Sequence, residues 1–251
     1  MTVEEGGSQV KRIKVVVPVS SGMWNDSVKQ LMDEYKDEDT AIDVVNIAKG
    51  PESLECTYDE VMAEMFTVLE AEKAPEEGFD GVIIYCGSDP GLRAAKEKLD
   101  IPAVGLGESS YHLASMLGSS FSVITVGPPD LVATQCRRVR DHLKVYAIEH
   151  KCASVRSVAI PVVELEKEKV KQEQRVLAEA AKAVEDDGAD TIVLGCGGML
   201  GVAEKVSQQL GVPVIVPAIA ALKVCELLIR VGLVQSKRCF GTPSTTKKRV
   251  L

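Results

Sequence analysis

Aromatic side chains are scarce in this chain, at 4% of 251 residues, and tryptophan occurs once. A core built on large rings is thereby excluded. Val, Ile, Leu and Ala must supply it, which suits parallel strands buried under helices. Positive charge is not in excess either: the formal net charge is −8, which argues against nucleic acid or an anionic membrane surface as a partner. No run of about 18 apolar residues occurs, so no membrane span is expected. The opening stretch from Met1 to Val10 carries no apolar signal core, and Lys247-Lys248-Arg249 reads as a solvated basic tail. No CxxC pair exists among the seven cysteines, an odd count at irregular spacing. That pattern points to free thiols in a reducing cytoplasm rather than to a disulfide framework.

Familiar cofactor and metal signatures are missing as well. No GxxxxGK[ST] phosphate loop is present. Gly105-Leu106-Gly107 lacks the third glycine of a dinucleotide fingerprint, and the strand after Gly195-Cys196-Gly197 runs into Pro217 instead of a ribose-binding acid. The phosphatase pattern C-x5-R fails by one position, because Leu92 stands where the arginine belongs and Arg93 follows. His112, His142 and His150 show no ligand spacing, so neither a cofactor nor a metal is expected.

What the chain does have is a repeat. Gly78-Phe79-Asp80-Gly81-Val82-Ile83-Ile84-Tyr85-Cys86-Gly87-Ser88 is matched by Gly188-Ala189-Asp190-Thr191-Ile192-Val193-Leu194-Gly195-Cys196-Gly197-Gly198. Each copy leads through a helix-length segment to a second strand, entered at Ile101-Pro102 and Val212-Pro213. The surrounding chain reads as strand then helix, four times and then four times again. Strands are expected at 13–17, 41–47, 82–85, 103–106, 121–125, 155–163, 191–195 and 214–216. Thr57 and Glu60 form a capping-box signature, with Met62, Met65, Phe66 and Leu69 as the core face of the helix behind it. A long helix over 164–187 is expected to bury Val170, Leu177, Ala181 and Val184, and no large apolar patch is expected on the exposed helix faces. Such alternation implies an α/β protein with parallel sheets. Eight units permit a closed barrel, whereas the internal repeat favours two pseudo-symmetric lobes, each with a four-stranded parallel sheet flanked by helices.

In either architecture the loops after the strand C-termini carry the site. Cys86 and Cys196 both lie there. Backbone N–H groups and helix starts near Pro90 and after Gly198 are expected to lower their thiol pKa and to hold an anion. Glycine beside each lets a substrate approach the backbone. Cys86 and Cys196 are therefore candidate proton donors and acceptors. The other five cysteines are expected to be structural, with Cys136 and Cys225 in the core.

At these residues the chain resembles the aspartate/glutamate racemase superfamily, and within it the hydantoin racemase branch. The resemblance runs from about Ile13 to Gly232. It is carried by Cys86-Gly87-Ser88-Asp89-Pro90-Gly91-Leu92, Pro102-Ala103-Val104-Gly105-Leu106-Gly107-Glu108 and Leu194-Gly195-Cys196-Gly197-Gly198-Met199. It implies a first lobe of residues 11–108 to which residues 217–251 return, a second lobe of residues 109–216, and a site in the cleft between them. The implied activity is cofactor-independent racemisation or epimerisation of a hydantoin-, allantoin- or amino-acid-like small molecule. Cys86 and Cys196 would then be the acid/base pair on opposite faces of the acidic carbon. Gly87, Ser88, Gly197 and Gly198 would surround the substrate oxygens, with Ser20, Ser21 and Thr125 supplying hydroxyls. A homo-oligomer is compatible with the family's habit. The chain departs from that branch at Val17-Pro18-Val19, where Asn-Pro-Asn is usual, and at Gly87, where an aromatic residue is common. A superfamily cis-trans isomerase or decarboxylase, and a small-acid binding protein without turnover, are the competing readings.

Overall fold

The computed structural model describes residues 10–244, so the opening residues and the basic run Lys247–Arg249 lie outside the described part. The chain alternates strictly: β1 (Lys11–Val17), α1 (Asn25–Tyr35), β2 (Thr40–Asn46), α2 (Thr57–Ala71), β3 (Gly81–Ile84), α3 (Leu92–Lys98), β4 (Ala103–Gly105), α4 (Leu106–Leu117). The same order then recurs as β5 (Phe121–Thr125), α5 (Val132–Val145), β6 (Cys152–Ser157), α6 (Lys169–Glu185), β7 (Thr191–Leu194), α7 (Ala203–Leu210), β8 (Val214–Ile215) and α8 (Pro217–Arg230). The strands form two four-stranded parallel sheets with orders β2-β1-β3-β4 and β6-β5-β7-β8. Two equivalent open sheets, and not a closed barrel, are the result.

Both central strands of each sheet are covered on both faces. Val15, Val16, Val82, Ile83 and Ile84 in one sheet, and Val123, Ile124, Ile192, Val193 and Leu194 in the other, have no exposed surface. Helix α8 packs on the first sheet: Ala218, Ala221, Leu222 and Cys225 share one cluster with Ile13, Val15 and Ile83. The chain beyond it stays on the same side, where Gln235 Nε2 donates to the carbonyls of Leu99 (2.7 Å) and Ile101 (2.9 Å). Among the described residues no helix is long and apolar enough to cross a membrane.

Several local expectations give way. Helix α2 buries Glu60, Ala63, Thr67 and Ala71 rather than the methionine face, leaving Met62 and Met65 about half exposed. Small residues are needed on that face because the helix runs close to its neighbours: a Cβ on Gly91 would sit 2.9 Å from the Glu64 carbonyl. Tyr58, Val61, Met62 and Met65 thus give α2 an exposed apolar face, contrary to the patch-free surface expected. Its cap also lies one residue earlier than Thr57. Asp59 accepts the N–H of Glu55 and of Cys56, which leaves Glu60 free for another role. Helix α6 starts later, at Lys169, and buries Gln172, Val176, Ala180 and Ala183, while Val170 in its first turn is exposed. Strand β6 runs from Cys152 to Ser157, because Ala159 turns to φ +52° and Pro161 has no N–H for a ladder. Cys225 is buried as expected, but Cys136 is only half-buried.

Candidate functional site

Cys86 and Cys196 each follow a central strand by two residues and begin the same tight turn. Asp89 N–H closes on the Cys86 carbonyl at 3.1 Å, and Met199 N–H on the Cys196 carbonyl at 3.2 Å. In each sheet that point is where the strand order reverses, the crevice at which open α/β sheets bind ligands. The two crevices face one another. Cys86, Gly87, Ser88, Thr125, Cys196, Gly197 and Gly198 all line a single cavity of about 90 Å³.

The turns interlock. Tyr85 OH donates to the Gly197 carbonyl (3.1 Å), and Tyr111 OH to that of Gly87 (3.4 Å). A Cβ on Gly87 would stand 2.3 Å from the Gly195 carbonyl oxygen, and one on Gly197 2.6 Å from the Tyr85 ring. Glycine is required here by contact between the lobes, beyond any need of a substrate. Gly87→Ala is expected to cost about 1–3 kcal/mol of stability by overpacking, and to lower activity by parting the two turns; thermal unfolding and turnover together check this.

Ser20 and Ser21 are not brought to the cavity. The Ser20 hydroxyl donates to the carbonyls of Gly50 (3.0 Å) and Pro51 (3.2 Å), and Ser21 Oγ accepts the Met23 N–H at 3.4 Å. Both stabilise the loop after β1, whose Val17, Pro18 and Val19 form an apolar wall of the site. The loop before α2 supplies Ser53 and Leu54 and reaches the other lobe. There Glu55 Oε1 accepts the Val162 N–H at 2.7 Å, and its carbonyl accepts from Gln135.

The thiols behave otherwise than their strand-end position suggests. Burial pushes the Cys86 thiol up, against contacts from Ser88, whose hydroxyl lies 3.3 Å from the sulfur. Burial pushes Cys196 up to about 12, against a Gly198 N–H at 3.4 Å, and charge on Cys86 raises it further. No helix end offsets this, since α3 begins at Leu92 and α7 only at Ala203. Ionising one thiol disfavours ionising the other, so once one sulfur is a thiolate its partner stays a thiol. Such a pair can remove a proton at one face of a carbon and deliver one at the opposite face.

Sequence reasoning missed several groups. Asp89, buried at φ +50°, accepts the N–H groups of Gly107 (2.9 Å) and Glu108 (2.7 Å) at the start of α4 and the hydroxyl of Tyr146 (2.6 Å). Burial pushes its carboxyl up to about 7 against those three donors. Arg138 and His142, four apart on α5, line the cavity with Trp24, and Glu60 of α2 lies behind them. Arg138 Nε is 3.4 Å from Glu60 Oε1, and His142 Nε2 is 4.0 Å from Glu60 Oε2. Burial lowers the His142 pKa, partly opposed by the Glu60 charge. The i, i+4 spacing of Arg138 and His142 was the one local signal. Their meeting with Glu60 joins helices of different lobes.

Comparison with known proteins bears on the same region. Residues 13–225 match the family model described as Asp/Glu/Hydantoin racemase. A hydantoin racemase of Paenarthrobacter aurescens is 35% identical over 245 residues, covering 96% of this chain and 100% of that one. Among solved structures, allantoin racemase from Klebsiella pneumoniae superimposes with a TM-score of 0.87 at 30% identity, over 96% of each chain. Allantoin racemase from Pseudomonas fluorescens gives 0.87 at 31%, over 96% of this chain and 99% of that one. A match across most of the chain, with the same fold, makes this protein a member of the Asp/Glu/hydantoin racemase family: a racemase, and so an isomerase.

Proposed function

We propose that the protein interconverts the enantiomers of 5-substituted hydantoins, the class to which allantoin belongs, using Cys86 and Cys196 as a two-base pair. The observation that carries this reading is the meeting of both thiols, from equivalent turns, in one small and largely apolar cavity. One thiolate takes the proton from C5 while the opposite thiol gives a proton to the other face. The reverse reaction uses the exchanged protonation state. Negative charge develops on the ring oxygen beside C5. Among the described residues the amides of Gly87 and Gly197 donate to no backbone carbonyl, which makes them available to that oxygen. A buried thiolate of raised pKa is also a stronger base towards carbon than an exposed one.

A pH dependence follows from the direction of the thiol shifts. Both pKa values lie above the ordinary thiol range, so near neutrality most free enzyme has two thiols and is inactive. kcat/KM should rise with pH by about tenfold per unit from near neutrality up to the first thiol pKa. A profile already flat from pH 6.5 contradicts the buried-thiol account. The function itself is tested by following optical rotation and solvent deuterium uptake with chiral hydantoins, allantoin and acidic amino acids. Ligand binding without exchange would instead favour a binding protein.

A further inference from the structure

The cavity wall formed by α5 holds a charge that the two-thiol reaction does not use. Arg138 is largely buried, its side chain 16% exposed, and its Nε lies 3.4 Å from Glu60 Oε1 without a hydrogen bond between them. Its Nη1 is buried without a hydrogen-bond partner. The indole N–H of Trp24, on the other lobe and lining the same cavity, is likewise buried and unpartnered. A desolvated donor left unpaired is costly, and most so when it carries charge. Glu60 Oε1 is a buried, unpartnered acceptor as well, but it lies against Nε; Nη1 and the indole N–H, on two residues that line one cavity, are accounted for if a ligand brings the acceptors.

Among the described residues Arg138 is the one lysine or arginine lining the cavity, and burial disfavours charge on His142 beside it. The remaining wall, including Val17, Val19 and Leu54, is mostly apolar. Arg138 and both cysteines line the same cavity of about 90 Å³.

Resting on the racemase reading above, we infer that Arg138 recognises an oxygen acceptor on the C5 substituent of the substrate, a carboxylate or a ureido carbonyl, with Trp24 as a second donor. A planar guanidinium with an unpartnered Nη1 suits such oxygens, and the charge suits a carboxylate most. Hydantoins with alkyl substituents would leave both donors unpaired and should be handled poorly. Arg138 is then a specificity-determining residue, and its pairing with Glu60 serves to hold it in place.

The test compares 5-(2-carboxyethyl)hydantoin, allantoin and 5-isobutylhydantoin with the wild-type protein, Arg138→Met and Arg138→Lys. Racemisation is followed by circular dichroism and binding by calorimetry. The wild type should prefer the two acceptor-bearing substrates over the isobutyl compound by at least roughly tenfold in kcat/KM. Arg138→Met should shrink that ratio towards one, chiefly through KM, and Arg138→Lys should restore part of it for the carboxylate. A wild type without this preference overturns the inference, whether or not the variants fold. A folded Arg138→Met that loses activity equally on all three substrates overturns it too, because that is the mark of a structural role. Arg138-dependent binding of the carboxyethyl compound without turnover upholds the subsite and sinks the racemase reading; neither binding nor turnover sinks both.

Discussion

Cys86→Ser and Cys196→Ser should each lower racemisation in both directions by at least about a thousandfold. In the proposed mechanism every turnover uses one sulfur as base and the other as acid, so losing either should stop the forward and reverse reactions alike. A serine hydroxyl ionises far above any thiol, and burial of the kind that raises Cys196 to about 12 would push it higher still. The two variants should differ in what they retain. With Cys196 intact, one enantiomer can still lose and regain its proton on that face, exchanging with solvent without inversion; with Cys86 intact, the other enantiomer does so. Proton NMR in deuterated water reads this directly. Exchange that is equal for both enantiomers in either variant would place the base elsewhere.

Asp89→Ala should be the most damaging change outside the cysteines. The carboxylate is buried and holds two amides of α4 and the Tyr146 hydroxyl. Alanine leaves one buried and two part-buried donors without their acceptor, which should cost about 3–5 kcal/mol and lower the unfolding midpoint by roughly 6–20 °C. Asp89 also closes the Cys86 turn through its own N–H, at 3.1 Å from the Cys86 carbonyl. Displacing that sulfur by about 1 Å should reduce kcat by roughly a hundredfold. Asp89→Asn keeps the shape but turns one acceptor into a donor facing donors, so its loss should be smaller in the same direction. Thermal melts with kcat on all three proteins check the order. An alanine variant as stable and active as the wild type would show that the network does not hold the turn.

Asp89 also shows why the two copies of the repeat diverge. At the equivalent position the second turn has Met199, buried in an apolar cluster with Leu165 and Val202. One turn is anchored by a carboxylate to a helix start and the other by packing. The two sulfurs consequently face different surroundings: Ser88 Oγ beside Cys86, and the Gly198 N–H beside Cys196.

The alternation of eight strands and eight helices was readable because buried parallel strands are short apolar runs punctuated by glycine and proline. The Cys86 and Cys196 turns were readable for the same local reason. Helix faces were less so. In α2 the bulky stripe through Met62 and Met65 looked like core, but close approach to neighbouring backbone selects Ala63, Thr67 and Ala71 instead. The direction of the thiol shifts was misread because it depends on burial and on the distance to helix starts, neither of which is written locally. Arg138, His142 and Glu60 were hidden for a further reason: their meeting joins α5 of one lobe to α2 of the other.

The central claim is that two opposed thiols move protons on and off one carbon. It is tested most directly by incubating a single enantiomer of a 5-substituted hydantoin with the wild-type protein in deuterated water. Optical rotation and deuterium at C5 are then followed in the same sample. Product of inverted configuration should carry deuterium from its first appearance, and substrate recovered early should carry little, because the proton leaves to one sulfur and the deuteron arrives from the other. Recovered substrate that gains deuterium as fast as inverted product forms would point to a single base and contradict it.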